Sequence, residues 1–483
     1  MNMTMNELLK NAKGLCDDSR YAEPGFLFFC KGNSFKKEYL SDAIEKGILG
    51  YVAEKDFGFD IPHFITDDIR SAMADAAKIF YDDPSRKLEL VGITGTKGKS
   101  TTLYYLKNIM ENSEACGEGK FGYISTINNY DGKRIVESHL TTPEIFELNT
   151  LLSGMVDSGI KKAGMEVSSQ GLKYGRIKNI SYAAGAFTNF SEDHIGPNEH
   201  TDIEDYFNAK LSLMNYCENF IVNLDDERSS EVLAACKQLK ASGKMKTIFT
   251  VSSFDKSDAE CESVLIKNIQ KLDGRTAFDL DGFGTLMLNM PGLFNIYNAA
   301  FAAILSRILG ANNEEIKNGL LDAKASGRME IYKNDSKDII GIVDFAHNKL
   351  SFEKIFSSVK EEYPNYRIEA VFGCPGNKAP ERREDLPMVA AKYSDYSYIT
   401  EDDPFHESAE SICNEVYQNL LRFGGNGRVI VDRKDAIKTA ISNAEEHTVI
   451  LFLAKGCDKY MHRENYDEYE SDSVIVNEEI KNI

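Results

Sequence analysis

No stretch of this sequence approaches the roughly 18 consecutive apolar residues of a membrane-spanning helix. Its opening, Met1-Asn2-Met3-Thr4-Met5-Asn6-Glu7, lacks the basic segment and apolar core of an export signal. A chain that is neither exported nor embedded in a membrane, and that works in the cytoplasm, is therefore expected. Cys-x-x-Cys pairs are also missing. The nine cysteines are odd in number and scattered, which argues against a zinc site and a disulfide framework and for reduced thiols. Nor is there a surplus of basic residues. The net charge is −20, with acids throughout and densest between Asp467 and Asp472, which speaks against a nucleic-acid partner met through a broad basic face. Phosphates would need a local site. Low-complexity tracts and internal repeats are absent too.

What is present is ordinary globular material, 42% hydrophobic and 27% charged over 483 residues. Single cores rarely grow past about 250 residues, so roughly three domains are expected. The first, residues 1–85, alternates short apolar runs (Phe26 to Cys30, Gly50 to Ala53, His63 to Thr66) with helical patterns, as a small α/β unit does. Its polar loops, Asp18-Ser19-Arg20 and Lys31-Gly32-Asn33-Ser34, could bind a polar ligand but read more simply as solvated turns. Tyr81-Asp82-Asp83-Pro84-Ser85 marks a boundary because proline and acids interrupt the pattern.

The second domain, 86–325, opens with the stretch that carries most chemistry, Leu90-Val91-Gly92-Ile93-Thr94-Gly95-Thr96-Lys97-Gly98-Lys99-Ser100-Thr101-Thr102. An apolar strand enters a glycine-punctuated turn that ends in Gly-Lys-Ser before a helical pattern. Glycines let backbone amides approach a polyanion, Lys99 adds positive charge, and the Ser100 hydroxyl suits Mg²⁺. The strict spacing of a nucleotide phosphate loop would put glycine at 93, where this chain has Ile93. Strands and helices then alternate, which implies a mostly parallel sheet with its ligand at the strands' carboxyl ends. Glu166 closes one apolar strand and is placed to bind Mg²⁺ beside Ser100. Thr188-Asn189 leads into Glu192-Asp193-His194, a candidate ligand or proton-transfer cluster. Lys210, read from its helical context alone, is a solvated surface lysine. Asn295 and Asn298, near the start of an alanine-rich helix, could pair with a base or cap the helix.

A third unit, 326–483, repeats the α/β pattern in a doubly wound, Rossmann-like form. Its strand ends carry Asp344-Phe345-Ala346-His347-Asn348, Gly373 to Lys378, Thr400-Glu401-Asp402-Asp403-Pro404 and Ala454-Lys455-Gly456-Cys457-Asp458. Four polar ends on one rim are expected to form a ligand site.

In order and spacing, Gly95-Thr96-Lys97-Gly98-Lys99-Ser100-Thr101, Thr141-Thr142-Pro143, Glu166-Val167-Ser168-Ser169, Thr188-Asn189 with Asp193-His194, and Asp344-Phe345-Ala346-His347 resemble the Mur ligases. These are the ATP-dependent amino-acid ligases of peptidoglycan precursor synthesis, and the similarity is greatest to members that add the third residue of the stem peptide. The resemblance implies a three-domain fold: a UDP-binding N-terminal domain, a central ATP-binding domain and a C-terminal amino-acid-binding domain. It implies that UDP-MurNAc-L-Ala-D-Glu is activated as an acyl phosphate and then joined to an L-amino acid, by an enzyme expected to work as a monomer. Gly95, Thr96, Lys97, Gly98, Lys99, Ser100, Thr101, Asn298, Arg328 and Asp344 would hold ATP. Ser100 and Glu166 would hold one Mg²⁺, and His194 with a carbamylated Lys210 another; Lys99, Lys210, His194 and Glu166 form the implied catalytic set. Ser19, Thr141, Thr142, Ser168 and Arg176 would hold the acceptor.

Departures from the family pattern are Gln170 after Ser168-Ser169, Phe345 for a common tyrosine, Ala454 for glycine and, with most consequence, Asp402-Asp403-Pro404-Phe405. Diaminopimelate-adding members read Asp-Asn-Pro-Arg there, and the arginine grips a carboxylate of the incoming amino acid. Phe405 cannot. Asp402, Asp403, Glu407 and Asp458 make an acidic surround that suits an ammonium-bearing side chain, so L-lysine is expected, with L-ornithine second. Alternatives are meso-diaminopimelate, a folylpolyglutamate-type or other Mur-type ligase with another acceptor, or a phosphate-loop switch that hydrolyses nucleotide to change shape.

Overall fold

The computed structural model describes residues 3–32, 35–117, 120–126, 128–138, 140–191, 200–272, 275–289, 292–323, 330–334, 336–377, 379–463 and 466–483. His194 and Arg328, with Asn33, Ser34 and Lys378, lie outside these residues. The chain forms two compact units, one of residues 1–269, 278–287 and 294–322, the other of 270–277, 288–293 and 323–483.

The first unit begins with four short strands, Gly14–Cys16, Phe26–Phe29, Gly50–Ala53 and His63–Ile65, paired in parallel in that order. Their apolar residues alternate between two cores, Leu27, Phe29 and Val52 on one face and Phe28, Tyr51 and Ala53 on the other, as the two-residue period of a strand requires. Helix Ile69–Phe80 starts where the Asp68 carboxylate accepts the Ser71 amide, and it buries Met73, Ala76 and Ala77 against the first face. Ile145 and Phe146, from the chain after the phosphate loop, enter that same core, with the rings of Phe29 and Phe146 4.9 Å apart.

A larger sheet is built around Glu89–Thr94, with Lys162–Glu166 on one side and Tyr182–Phe187 on the other, both parallel to it. Cys217–Asn223, Thr247–Ser252 and Glu262–Leu272 extend the parallel arrangement beyond Tyr182–Phe187. On the opposite side, Gly122–Ile124 pairs in parallel with Lys162–Glu166, and Asn128–Tyr130 and Ile135–Glu137 follow as antiparallel strands. Leu90, Val91 and Ile93 are fully buried, which explains the unbroken apolar run: a central strand covered on both faces has no polar side. The short polar strands Asn128–Tyr130 and Ile135–Glu137 have no such signature, and nothing in the sequence foretold them.

The second unit holds a six-stranded sheet in the order Glu330–Asn334, Ile339–Asp344, Thr448–Leu453, Arg367–Phe372, Tyr396–Ile399, Gly427–Val429. The first strand is antiparallel to its neighbour; the remaining pairs are parallel. The late strand Thr448–Leu453 inserts between Ile339–Asp344 and Arg367–Phe372, so the carboxyl ends of four adjacent parallel strands share one rim. The α/β class and the doubly wound character of this unit are as expected.

Candidate active site

The phosphate loop is held open by residues some 90 positions downstream. The Lys97 amide donates to Asn189 Oδ1 at 2.9 Å, and Asn189 Nδ2 returns a bond to the Lys97 carbonyl at 3.0 Å. Thr188 Oγ1 donates to that carbonyl at 2.7 Å, and the Thr96 amide donates to the Asn189 carbonyl at 2.9 Å. Two glycines are obligatory here. A Cβ on Gly95 (φ +145°) would lie 2.0 Å from Thr188 Oγ1, and one on Gly98 (φ +84°) 2.3 Å from Asn298 Oδ1. Ile93 sits inside the strand, before the chain turns, so no glycine is needed there. The Lys99 ammonium donates to the carbonyls of Gly95 at 2.8 Å and Thr96 at 3.2 Å. Helix Lys99–Glu111 begins at Gly98, which directs its first amides toward the loop mouth, where an anion is favoured. Asn298 is buried beside the loop, its Oδ1 accepting from Thr102 Oγ1 at 3.4 Å.

Glu166 is fully buried at the end of its strand. Ser100 Oγ donates to its Oε2 at 2.9 Å; Thr126 donates through its amide to Oε1 at 2.9 Å and through its hydroxyl to Oε2 at 3.0 Å. A carboxylate and a hydroxyl in contact beside a phosphate cradle are hard oxygen donors, a set that fits Mg²⁺. Thr126 escaped the sequence reading. Its only signal is a hydroxyl just past the strand Gly122–Ile124, which is too common to single out.

Lys210 overturns the solvated reading of its position. The residue is 2% exposed, its ammonium donates to the Gly95 carbonyl at 2.9 Å, and it lies 4.5 Å from the centre of the Tyr206 ring. Tyr206 in turn donates to Thr96 Oγ1 at 3.3 Å. Helix Ile203–Leu211, started by the Asp202 side chain on the Asp205 amide, therefore presents its last-turn lysine to the underside of the loop. His200 lies fully buried, edge-on to Tyr206, with Nδ1 3.2 Å from Asp205; burial lowers its pKa, and the Asp205 charge opposes that.

Apart from Ser19, the acceptor candidates form one hydrogen-bonded run. Thr142 is fully buried; its hydroxyl donates to the Glu166 carbonyl at 3.1 Å and accepts the Ser168 amide at 2.9 Å. Arg176 donates to the Thr142 carbonyl at 3.1 Å and pairs with Glu144 at 2.8 Å. Glu144 also takes Lys31 at 2.7 Å, and Lys31 pairs with Asp17. Burial opposes the charge of Glu144, yet Lys31 and then Arg176 hold its carboxyl below the ordinary glutamate range. Thr141 meets Thr126 at 3.2 Å between hydroxyls, and the Ser168 hydroxyl caps helix Ser169–Lys173. Ser19 stands apart in the first sheet's loops, its carbonyl accepting from Lys46 at 2.7 Å.

On the rim of the second unit, Asp344 is buried and accepts the Ala346 amide at 2.7 Å. The acidic surround proves to contain its own cations. The ammonium of Lys455, 1% exposed, donates to Asp403 at 2.8 Å, Asp458 at 2.7 Å and the Tyr460 carbonyl at 2.6 Å. Burial opposes its charge, but Asp402, Asp403 and Asp458 together raise its pKa above the usual lysine value. Glu407 pairs with Arg383 at 2.8 Å, and Arg383 also takes Glu415 at 2.9 Å. Net negative charge remains around the buried Asp402 and the half-buried Asp403 and Asp458, though less than a list of acids implies. Lys455 and Arg383 were left out of that list because charge compensation across 52 residues (Lys455 to Asp403) has no local pattern. Phe405 (φ +54°) packs its ring 5.5 Å from that of His462.

Ala454 is bound to one strained backbone. Its φ of +87° lies in the left-handed region, which costs an L residue about 1–2 kcal/mol. Glycine's greater freedom in the unfolded chain offsets part of that, so Ala454→Gly should stabilise the protein by about 0.5–1 kcal/mol. A denaturant midpoint that fell instead of rising would contradict this.

The sequence matches the model of the Mur ligase middle domain over residues 93–306 and of the Mur ligase glutamate ligase domain over residues 327–456. It is 36% identical, over 92% of this chain and 87% of the other, to a Streptococcus thermophilus protein named UDP-N-acetylmuramoyl-L-alanyl-D-glutamate--L-lysine ligase. The chain belongs to the Mur ligase family. Members of this family are ATP-dependent ligases that form peptide bonds, and this Mur ligase is such an enzyme. Among solved structures, it resembles a UDP-N-acetylmuramoyl-L-alanyl-D-glutamate--2,6-diaminopimelate ligase, with a TM-score of 0.68, 22% identity and coverage of 100% and 99% of the two chains. It also resembles the MurF ligase of Thermotoga maritima in complex with ADP, with a TM-score of 0.56, 17% identity and coverage of 99% of each chain. At those identities the two structures show that the Mur ligase fold is shared. No helix among the described residues is long and apolar enough to cross a membrane.

Proposed function

We propose that this Mur ligase joins L-lysine to the D-glutamyl carboxylate of UDP-N-acetylmuramoyl-L-alanyl-D-glutamate, using ATP, in peptidoglycan precursor synthesis. The observation that carries the reading is the buried Glu166 carboxylate, met by Ser100 and Thr126 beside a clamped phosphate loop, with Lys210 buried beneath it. The lysine-adding relative's name supports the acceptor and amino acid.

In the first step the carboxylate oxygen attacks the γ-phosphorus, the bond to the β-phosphate oxygen breaks and ADP leaves. In the second, the amine attacks the acyl phosphate, phosphate departs and the amine loses a proton. Both steps gather anions, and the chain's contribution is fixed positive charge and donors. Lys99 would swing from the Gly95 and Thr96 carbonyls to the phosphates. Loop amides from Lys97 onward, kept in place by Thr188 and Asn189, would bind phosphate oxygens. Ser100 and Glu166 would hold one Mg²⁺, with Thr126 fixing the rotamer of Glu166, and His194 and a carbamylated Lys210 would serve a second. When bound, Mg²⁺ screens phosphate charge and aligns attacking and leaving oxygens. Asn298, Arg328 and Asp344 would complete the ATP contacts.

Arg176, Ser168, Thr141 and Ser19 would meet the acceptor. Thr142, whose hydroxyl is already committed, would position Ser168 instead of touching substrate. Residues 1–85 would carry the UDP end, 86–325 the ATP and 326–483 the amino acid. The nine free cysteines support a reducing, cytoplasmic setting, and we take the enzyme to act as a monomer.

Phe405 removes the carboxylate-gripping arginine, and the remaining negative charge of Asp402, Asp403 and Asp458 favours a terminal ammonium. ADP release measured with L-lysine, L-ornithine and meso-diaminopimelate should show kcat/KM highest for lysine, about tenfold above ornithine, because one methylene is worth about 1–3 kcal/mol. A preference for diaminopimelate would overturn the assignment.

A further inference from the structure

In the second unit, Arg433 and Asp472 form an ion pair with side chains 1% and 0% exposed. Arg433 opens helix Arg433–Asn443 and Asp472 opens helix Asp472–Lys481. The guanidinium donates from Nε to Asp472 Oδ1 at 2.9 Å and from Nη2 to Oδ2 at 2.6 Å, and Tyr469 adds its hydroxyl to Oδ1 at 2.8 Å. A buried ion pair is a poor source of stability, since apolar residues of similar volume often replace one without loss. What an apolar pair could not supply is the rest of the fork. Arg433 Nη1 donates to the Glu401 carbonyl at 3.2 Å, and Nη2 to the Leu453 carbonyl at 2.7 Å.

Those two carbonyls immediately precede the loops Asp402-Asp403-Pro404-Phe405 and Ala454-Lys455. The loops are joined again at their heads, where Lys455 reaches Asp403. One rigid fork at the base and one ammonium at the head therefore fix the spacing of the two segments. Arg433 itself is fully enclosed, so it cannot touch a substrate there.

We propose that Arg433, oriented by Asp472, is a positioning residue that sets the spacing of these two loops and thereby selects the incoming amino acid. The inference rests on the reading that the loops receive that amino acid. Arg433→Lys keeps the charge but loses the planar fork, which cannot be replaced by a single ammonium. The double variant Arg433→Met/Asp472→Leu removes the ion pair while filling the volume. Each variant is assayed for ADP release, with KM measured separately for L-lysine, ATP and the UDP-linked acceptor, and folding is checked by thermal unfolding. The expected result is a KM for lysine raised about tenfold and a reduced preference for lysine over ornithine, with the KM values for ATP and acceptor changed less than about twofold. Equal changes in all three KM values, or none, would overturn it. If neither variant folds, the pair is a folding requirement and the inference also falls. The wild type separates the two readings: absence of lysine-dependent ADP release there refutes the ligase assignment, whereas a normal wild type with unsplit variants refutes only the role of Arg433.

Discussion

Replacing Lys99 by methionine should lower kcat about a thousandfold, the scale seen when one preorganised electrostatic group is removed from a site of developing charge. The fold should survive. Lys99 contributes two bonds to loop carbonyls, Gly95 and Thr96, but the loop is independently fixed by Asn189 and Thr188 through four hydrogen bonds. Stability should therefore fall by no more than about 1–3 kcal/mol, since the Gly95 carbonyl keeps its bond from Lys210 and only the buried Thr96 carbonyl loses the ammonium. Steady-state ADP release and a denaturant titration on the same preparation check both halves. Activity within tenfold of wild type would mean that the loop does not bind the transferring phosphate as proposed.

Lys210→Met should have a similarly large effect on rate and likewise leave the fold intact. The lysine is 2% exposed and lies over the Tyr206 ring, and the Gly95 carbonyl to which it donates also accepts from Lys99, so an apolar side chain of like length should cost little stability. If the amine works as a carbamate, it combines with one CO₂, loses one proton and becomes an anion able to share Mg²⁺; methionine cannot do this, and kcat should fall about a thousandfold. Wild type stripped of CO₂ and bicarbonate should lose activity and regain it when bicarbonate is returned. Native mass measurement should find one added CO₂ on the wild type and none on the variant, with the adduct released by acid. An active variant without CO₂ dependence would leave Lys210 with a structural role and no catalytic one.

These two lysines illustrate how unevenly the site could be read. Lys99 stands in a motif whose meaning is local: strand, glycine turn and helix start follow one another within thirteen residues, and each is encoded by residues at that place. Lys210 stands in a helix that looks solvated, because Asp202, Glu204 and Asp205 surround it in sequence. Only its family resemblance suggested otherwise. The same contrast holds for Glu166, whose strand-end position was legible, and Thr126, whose two bonds to it were not. In the second unit the acids Asp403 and Asp458 were visible in the chain, while their shared partner Lys455 was visible only as one more strand-end residue.

By itself the sequence determined the α/β class, the central apolar strand, the phosphate loop and the order of motifs that marks a Mur ligase. These follow from local rules: side-chain period, the freedom of glycine, and the approach of backbone amides to an anion. Tertiary structure alone decided which charges are compensated, which polar groups are buried, and which distant carbonyls Arg433 ties together. Hydrogen-bonded networks join residues separated by tens of positions, and the energy of a charge is set by what surrounds it in space, which no window along the chain contains.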